Sequence, residues 1–269
     1  MKLILSRKGF DSSAGGGPSP RLPDGTLLSL PIPSSDEQRF TTVRGPDGKP
    51  LARLMRQLGL RAASGCHLDP DLDRNSVART TGWRPAFGSI GAAGSHLLDQ
   101  GVGPGDLFLF FGWFRDTRLD GRRLRFVPRT DRHWLFGYLQ VGERFEPDSI
   151  GALPPWLHGH PHARPERLGR AGNVLFAAAA ELDLDGAPPG LPGAGLLSSR
   201  GDRVLTAPGM SRSRWALPRA LFGGLDITYH SERSWRDGYF QSAFRGQEFV
   251  LTPTAGVRRW ALERIIGPG

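Results

Sequence analysis

Residues 101–114 read GVGPGDLFLFFGWF, and the apolar run from Leu107 to Phe114 decides the fold class. The run is short, aromatic and bounded by glycine, which predicts a buried strand; a core helix would need a longer amphipathic stretch. Working outward, HWLFGYLQVGE (133–143) predicts a second strand, and the apolar start at residues 2–6 an opening one. NVLFAAAAEL (173–182), DRVLTA (202–207), DITYH (226–230) and EFVLT (248–252) read as further strands, although the alanine tract from Ala177 to Ala180 also suits a helix. Helices belong at the margins. Leu51, Leu54, Met55 and Leu58 keep helical spacing before Gly59, SHLLDQ (95–100) runs to Gly101, and Val257, Trp260, Ala261 and Ile265 share one face of VRRWALERII (257–266). The expected fold is therefore α+β and β-rich: a central, mostly antiparallel sheet or barrel with short flanking helices.

The chain has 269 residues, enough for one sizeable core, and reads as a single domain whose softest boundary is the Pro/Gly-rich stretch at 187–195. With 38% apolar residues, wholesale disorder is excluded. Thirty-five Lys and Arg against 26 Asp and Glu give a formal charge of +9, which suits a partner rich in phosphate or carboxylate. Only Lys2, Lys8 and Lys49 are lysines, however, and a compositional bias toward Arg, Gly, Pro and Ala produces the same excess without selection for binding. A single cysteine, Cys66, cannot close an internal disulfide. No apolar run approaches the roughly 20 residues of a membrane span, and MKLILSRKGF is too quickly charged for a signal peptide. A cytoplasmic protein with no membrane partner is expected.

Four stretches carry polar chemistry. SRKGFDSSAGGG (6–17) sets Ser6, Arg7, Lys8 and Asp11 beside free backbone N–H groups that suit an anion; a solvated turn is the plain alternative. CHLDPDLD (66–73) holds His67 and Asp69 two residues apart, so an extended backbone turns both to one face. That pair plus a distal histidine would make the two-histidine, one-carboxylate donor set of non-haem iron sites; the alternative is an acidic turn with Asp71 and Asp73 as loop residues. Cys66 beside them is either a soft ligand or a small buried hydrophobe. Candidates for the third donor are His133, His158, His160 and His162 of HGHPH (158–162), and His230. In APGMSRSRWALP (207–218) Arg212 and Arg214 come close before Trp215, and FRGQEFVL (244–251) brings Gln247 and Glu248 into a strand. Arginine among aromatics suits phosphate contact and base stacking, or simply packing of stems over tryptophan, and Glu248 could serve as a general acid or base. There is no Walker loop, no GxSxG elbow and no paired-cysteine zinc signature.

Residues 1–33, CHLDPDL, GVGPGDLFLFFGWF with HWLFGYLQVGE, HPH (160–162), LTAPGMSRSRWALP (205–218) and FRGQEFVL together resemble the bacterial family called nucleotide modification associated domain 3. The resemblance spans nearly the whole chain in the same order, and SRKGFDS is its most specific part. The family is named for its association with systems that modify bases in DNA, so the resemblance implies a context and assigns no reaction. It implies that Ser6, Arg7, Lys8 and Asp11 belong to a site with His67 and Asp69, lined by Arg212, Arg214, Gln247 and Glu248. It also favours His162 and His230 as distal ligands. The two central strands are similar, more loosely, to barrel strands of PUA-like domains, which cradle nucleobases.

The leading expectation is an enzyme acting on DNA bases through a mononuclear divalent metal, Fe(II) favoured, held by His67, Asp69 and His162 or His230. In that reading Arg7, Lys8, Asp11 and Glu248 are the catalytic candidates, and Arg212 and Arg214 the cofactor-binding ones. Arg7 or Arg214 would pair with a carboxylate cosubstrate such as 2-oxoglutarate. Two alternatives stand beside it: a metal-independent reader of modified bases, and a metal-dependent oxygenase acting on a peptide or small metabolite.

Overall fold

The computed structural model describes residues 1–61, 65–244 and 246–267. Its strands and helices run β1 (Leu3–Arg7), β2 (Ser19–Arg21), β3 (Ile32–Ser34), α1 (Leu51–Gln57), β4 (Gly65–His67), β5 (Ala86–Ser89), α2 (Gly91–Asp99) and β6 (Leu107–Asp120). They continue with β7 (Arg123–Phe126), β8 (Arg132–Phe145), β9 (Val174–Ala178), β10 (Ala194–Leu196), β11 (Arg214–Trp215), α3 (Arg219–Phe222), β12 (Trp235–Arg236), β13 (Tyr239–Gln241), β14 (Glu248–Leu251) and α4 (Ala255–Ile266).

The run at 107–114 is the inner half of β6, at the middle of a nine-stranded sheet ordered β14-β1-β6-β8-β9-β5, with β2, β7 and β10 at its margins. It is apolar without interruption because both faces of the sheet are covered. Leu107, Leu109 and Phe111 meet Trp215, Phe249, Trp260 and Ile265 on one side, whereas Phe108 and Phe110 meet Phe87, Phe136 and Phe176 on the other. The β1–β6 and β2–β6 pairings are parallel and the rest antiparallel. Register shifts at Phe110/Phe111 and at Val141/Glu143 bend the sheet. It curls until the Phe87 ring on β5 lies 5.1 Å from Phe108 and 5.3 Å from Phe110. Yet β5 and β14 share no ladder, so the barrel alternative is not realised; α2 packs against both edges instead.

α4 forms as expected, with Val257, Trp260, Ala261 and Ile265 buried and Thr254 capping its first turn. α2 starts four residues earlier than the periodicity suggests, because Gly94 lets the helix approach the Gly172 carbonyl; a Cβ there would stand 1.8 Å from that oxygen. DRVLTA and DITYH make only isolated bridges. In the first, the buried Arg203 guanidinium binds the carbonyls of Arg264 and Ile265 at 2.7 Å each and so closes the end of α4. In the second, Tyr229 takes a positive φ of 66°, which breaks strand geometry. The segment at 187–195 runs straight into β10, which pairs with β8.

Phe40, Val43, Leu51 and Met55 from residues 31–60 join Leu30 and Cys66 in a satellite core. This core seats α1 and the short β3–β4 ribbon on the body of the protein. None of the helices among the described residues is long and apolar enough to cross a membrane.

Candidate metal centre

In the β3–β4 ribbon Ile32 faces His67 and Pro33 faces Cys66. Side chains alternate along β4, so Cys66 enters the satellite core and His67 points the other way. Burial, and then the Asp36 charge, pushes the Cys66 thiol up to about 12, so it is the buried hydrophobe of the two alternatives and not a thiolate donor.

His67, Asp69 and His162 converge: one donor atom from each lies within 4.8 Å of the others. His67 Nε2 is 3.5 Å and His162 Nε2 3.4 Å from the same oxygen, Asp69 Oδ2. Both rings are held from behind. His67 Nδ1 lies 2.7 Å from Asp36 Oδ2, and Asp36 is itself gripped by Arg167, 2.7 Å from Oδ1, and Arg164. His162 Nδ1 lies 2.9 Å from Asn173 Oδ1, and Asn173 Nδ2 returns a bond to the His162 carbonyl at 3.1 Å, which fixes the orientation of the amide. Carboxylate and amide oxygens can only accept. Each neutral ring therefore carries its proton on Nδ1 and turns an Nε2 lone pair toward Asp69.

Two lone pairs aimed at one carboxylate oxygen repel unless a metal ion lies among them or a ring takes up a second proton, which the raised His67 also favours. With metal–ligand bonds of about 2.1 Å, neighbouring donors stand about 3.0 to 3.4 Å apart, close to the distances here. The residues thus fit a divalent ion, with buried partners orienting the ligands as at established metal sites. His160 belongs to the surroundings and not to the donors. Its Nδ1 accepts the His162 N–H at 3.2 Å, so the proton sits on Nε2, which is buried without a partner and faces Asp69 Oδ1 at 3.7 Å. The Gly88 N–H donates to Asp69 Oδ1 at 3.0 Å.

The electrostatics express the same demand for positive charge. Burial would raise the Asp69 carboxyl, but His160, His162 and His67 around it hold it well below the usual carboxylate range. Burial would lower His67, and the carboxylates of Asp36 and Asp69 outweigh it and raise the ring instead. His162, further from Asp36, is lowered by burial.

The other candidates lie apart from this group. Lys8 and Glu248 form a buried pair, Nζ to Oε1 2.5 Å, beside the orphaned Ser6 hydroxyl and with Lys8 Nζ 4.4 Å from the Phe87 ring. Phe87 and Gly88 are adjacent on β5 and face opposite ways, so the strand separates the Lys8–Glu248 pair from Asp69 and His162. Arg7 binds the carbonyls of Phe244 and Gly246, and the Gln247 carbonyl accepts the Arg7 N–H. Asp11 Oδ1 accepts from Ser13 N, Ser13 Oγ and Ala14 N, organising its own turn. Arg212 stacks on Trp113 at 4.0 Å and Arg214 on Tyr239 at 5.0 Å. Neither contacts His67, Asp69 or His162. His230 is not brought to them either, since its Nδ1 meets Thr228 O at 3.0 Å and its Nε2 accepts Ala243 N–H at 2.9 Å. His133 accepts from Trp215 Nε1 at 3.0 Å in the core, and His158 meets Leu153 O at 3.0 Å. Asp71 holds Arg79 and Trp83, and Asp73 caps a turn at Asn75.

Sequence reasoning missed Asp36, Asn173, Arg164, Arg167 and Gly88. Only Gly88 carried a signal, being a glycine inside a short apolar strand, which marks a close approach.

A cavity of about 500 Å³ lies beside His160, with Asp71 and Arg79 also in its wall and Trp83, Trp156, Gln38 and Thr80 around it; His67, Asp69 and His162 do not line it. That volume falls in the range of small-molecule sites.

No curated protein and no solved structure matches the chain. A family model described as nucleotide modification associated domain 3 matches residues 2–252, a span that takes in every residue of the His67–Asp69–His162 group and its partners. The chain belongs to that family.

Proposed function

We propose that the protein is a metal-dependent enzyme that oxidises a nucleobase in DNA, with His67, Asp69 and His162 holding one Fe(II). The observation that carries this reading is the pair of Nε2 lone pairs aimed at Asp69 Oδ2 from 3.4 and 3.5 Å, each locked by a buried acceptor behind it. Two nitrogens and one oxygen leave coordination positions open, as the iron oxygenases require, whereas structural zinc sites close all four. Bound there, iron would supply the redox chemistry for oxidising a carbon centre with dioxygen.

The chain's own residues have separable tasks. Asp36 and Asn173 keep the two imidazoles in the ligating tautomer. The cavity beside His160 receives the base: Gln38 and Thr80 offer hydrogen bonds to base edges, and Trp83 and Trp156, whose rings already carry Arg79 at 4.1 Å and Arg84 at 5.0 Å, form part of its wall. Arg44, also in that wall, has no carboxylate partner among the described residues, and so suits a cosubstrate carboxylate of the 2-oxoglutarate kind better than Arg212 or Arg214 does.

Anaerobic titration with Fe(II) and Mn(II), followed by mass spectrometry of nucleosides from DNA incubated with protein, iron, 2-oxoglutarate and air, tests the reading. One tight site should be lost in His67→Ala and His162→Ala and kept in His230→Ala, and new oxygen should appear in a base. Absence of a metal site in the unaltered protein would overturn it. Metal-independent binding of modified DNA would favour the reader instead, and metal binding without DNA affinity a peptide or metabolite substrate.

A further inference from the structure

We propose that the cleft between α1 and β7 is the track on which the phosphate backbone of a DNA strand lies. It rests on the nucleic-acid part of the function proposed above and not on the metal.

The track is written in two stretches of sequence. RDTRLDGRRLRF (115–126) folds as a hairpin whose two-residue turn uses Gly121 at a positive φ of 59°. Alternation along β7 buries Leu124 and exposes Arg123 and Arg125. In α1, Leu51, Ala52 and Met55 face the satellite core, which leaves Arg53 and Arg56, one turn apart, on the open side. The helix and the hairpin enclose a cleft of about 580 Å³ lined by Arg53, Arg56, Gln57, Leu58, Gly59, Arg123, Arg125 and Phe126.

Four guanidinium groups line this cleft and no carboxylate does. Arg125 has a partner, Asp120 at 3.2 Å, and both are well exposed. Arg53, Arg56 and Arg123 have no carboxylate within 4.0 Å among the described residues. Four like charges gathered around one groove repel, and nothing in the fold is stabilised by bringing them together. A polyanion reverses that balance, and guanidinium forks match phosphate oxygens two at a time. Phe126 adds an aromatic surface in the same groove, on which an unstacked base can lie. The placement also suits the site. The core that seats α1 contains Cys66, the neighbour of His67 on β4, so the track is fixed rigidly relative to the candidate metal group.

The test uses a fluorescein-labelled 20-nucleotide DNA strand and the metal-free protein in a salt titration. Arg53→Ala/Arg56→Ala/Arg123→Ala should weaken binding about tenfold or more at 0.1 M salt and flatten the log–log salt slope by about 2, at about 0.7 per phosphate contact on a single strand. An equal charge change elsewhere, Arg170→Ala/Arg233→Ala/Arg236→Ala, should do much less. In the unaltered protein, DNA should shield Arg53, Arg56, Arg123 and Arg125 from phenylglyoxal, a readout that needs no variant to fold. Equal losses in the two triple variants, unshielded groove arginines, or competition by polyglutamate as strong as by DNA would each overturn the track. His67→Ala should bind the strand as the unaltered protein does. A failed metal site with intact groove-dependent binding would therefore sink the oxygenase and leave the track standing.

Discussion

Asn173 and His162 clasp one another: the ring Nδ1–H reaches Asn173 Oδ1 at 2.9 Å while Asn173 Nδ2 reaches the His162 carbonyl at 3.1 Å. The double contact leaves the imidazole one tautomer and one orientation. Asn173→Ala removes both and should weaken metal affinity about ten- to a hundredfold, the usual cost of losing the group behind a ligating histidine. Equilibrium dialysis with Mn(II) measures it. An unchanged affinity would mean that His162 is not a ligand.

Gly88 makes room for that ring. A Cβ at this position would lie 2.4 Å from His162 Cγ and Cδ2, far inside any tolerated contact. Gly88→Ala should therefore displace His162, remove the metal site and lower stability by about 1–3 kcal/mol, the ordinary cost of overpacking. Ala86, two residues earlier on the same face, already carries a methyl in the small cluster with Leu157 and Leu175. A Gly88→Ala protein that still binds metal at full affinity would refute the geometry.

The legibility of the sequence divides along the range of the contacts. The buried strands show in Leu107–Phe111 because covering both sheet faces removes the polar alternation, and His67 with Asp69 shows because spacing two on a strand is a local rule. Asp36 does not show. It lies 31 residues before His67 and reaches it only because the satellite core folds residues 31–60 back on β4. Asn173 is equally silent, a polar residue just before an apolar strand. His162 and His230 looked equivalent in the sequence, since each sits in a polar motif. What separates them is that both His230 nitrogens are taken by backbone groups, whereas His162 Nδ1 is held by the Asn173 side chain and its Nε2 faces Asp69. The choice between an open sheet and a barrel stays open in the sequence for a related reason: strand composition says nothing about whether the two edges meet.

Lys8 and Glu248 test a different kind of interaction. The pair is 2.5 Å apart, with the side chains only 11% and 1% exposed. Lys8→Met strands a carboxylate in the interior and should cost about 3–5 kcal/mol, whereas Lys8→Met/Glu248→Leu should recover much of it. Urea denaturation of both proteins decides the matter. If the single change costs under about 1 kcal/mol, water must reach Glu248 and the pair is not buried as described.

His133 predicts how stability depends on pH. Burial, then the positive charges of Arg7 and Arg212, lowers its pKa to about 3 from an ordinary 6.5. Above pH 6.5 neither the folded nor the unfolded chain holds the proton. Between 6.5 and about 3 the unfolded chain takes it and the folded chain does not, so stability falls as pH falls, by at most about 1.4 kcal/mol per pH unit. His133→Gln keeps an acceptor for Trp215 Nε1, which now donates to His133 Nδ1 at 3.0 Å, but removes the titration. From pH 6.5 to 4.5 the unaltered protein should lose about 2 kcal/mol more than the variant. His67, His162 and His230, whose shifts differ in sign, are common to both proteins and cancel in the comparison. Urea midpoints at four or five pH values suffice, and parallel curves would show that His133 is protonated in the folded core, with its Nδ1 no longer free to accept from Trp215.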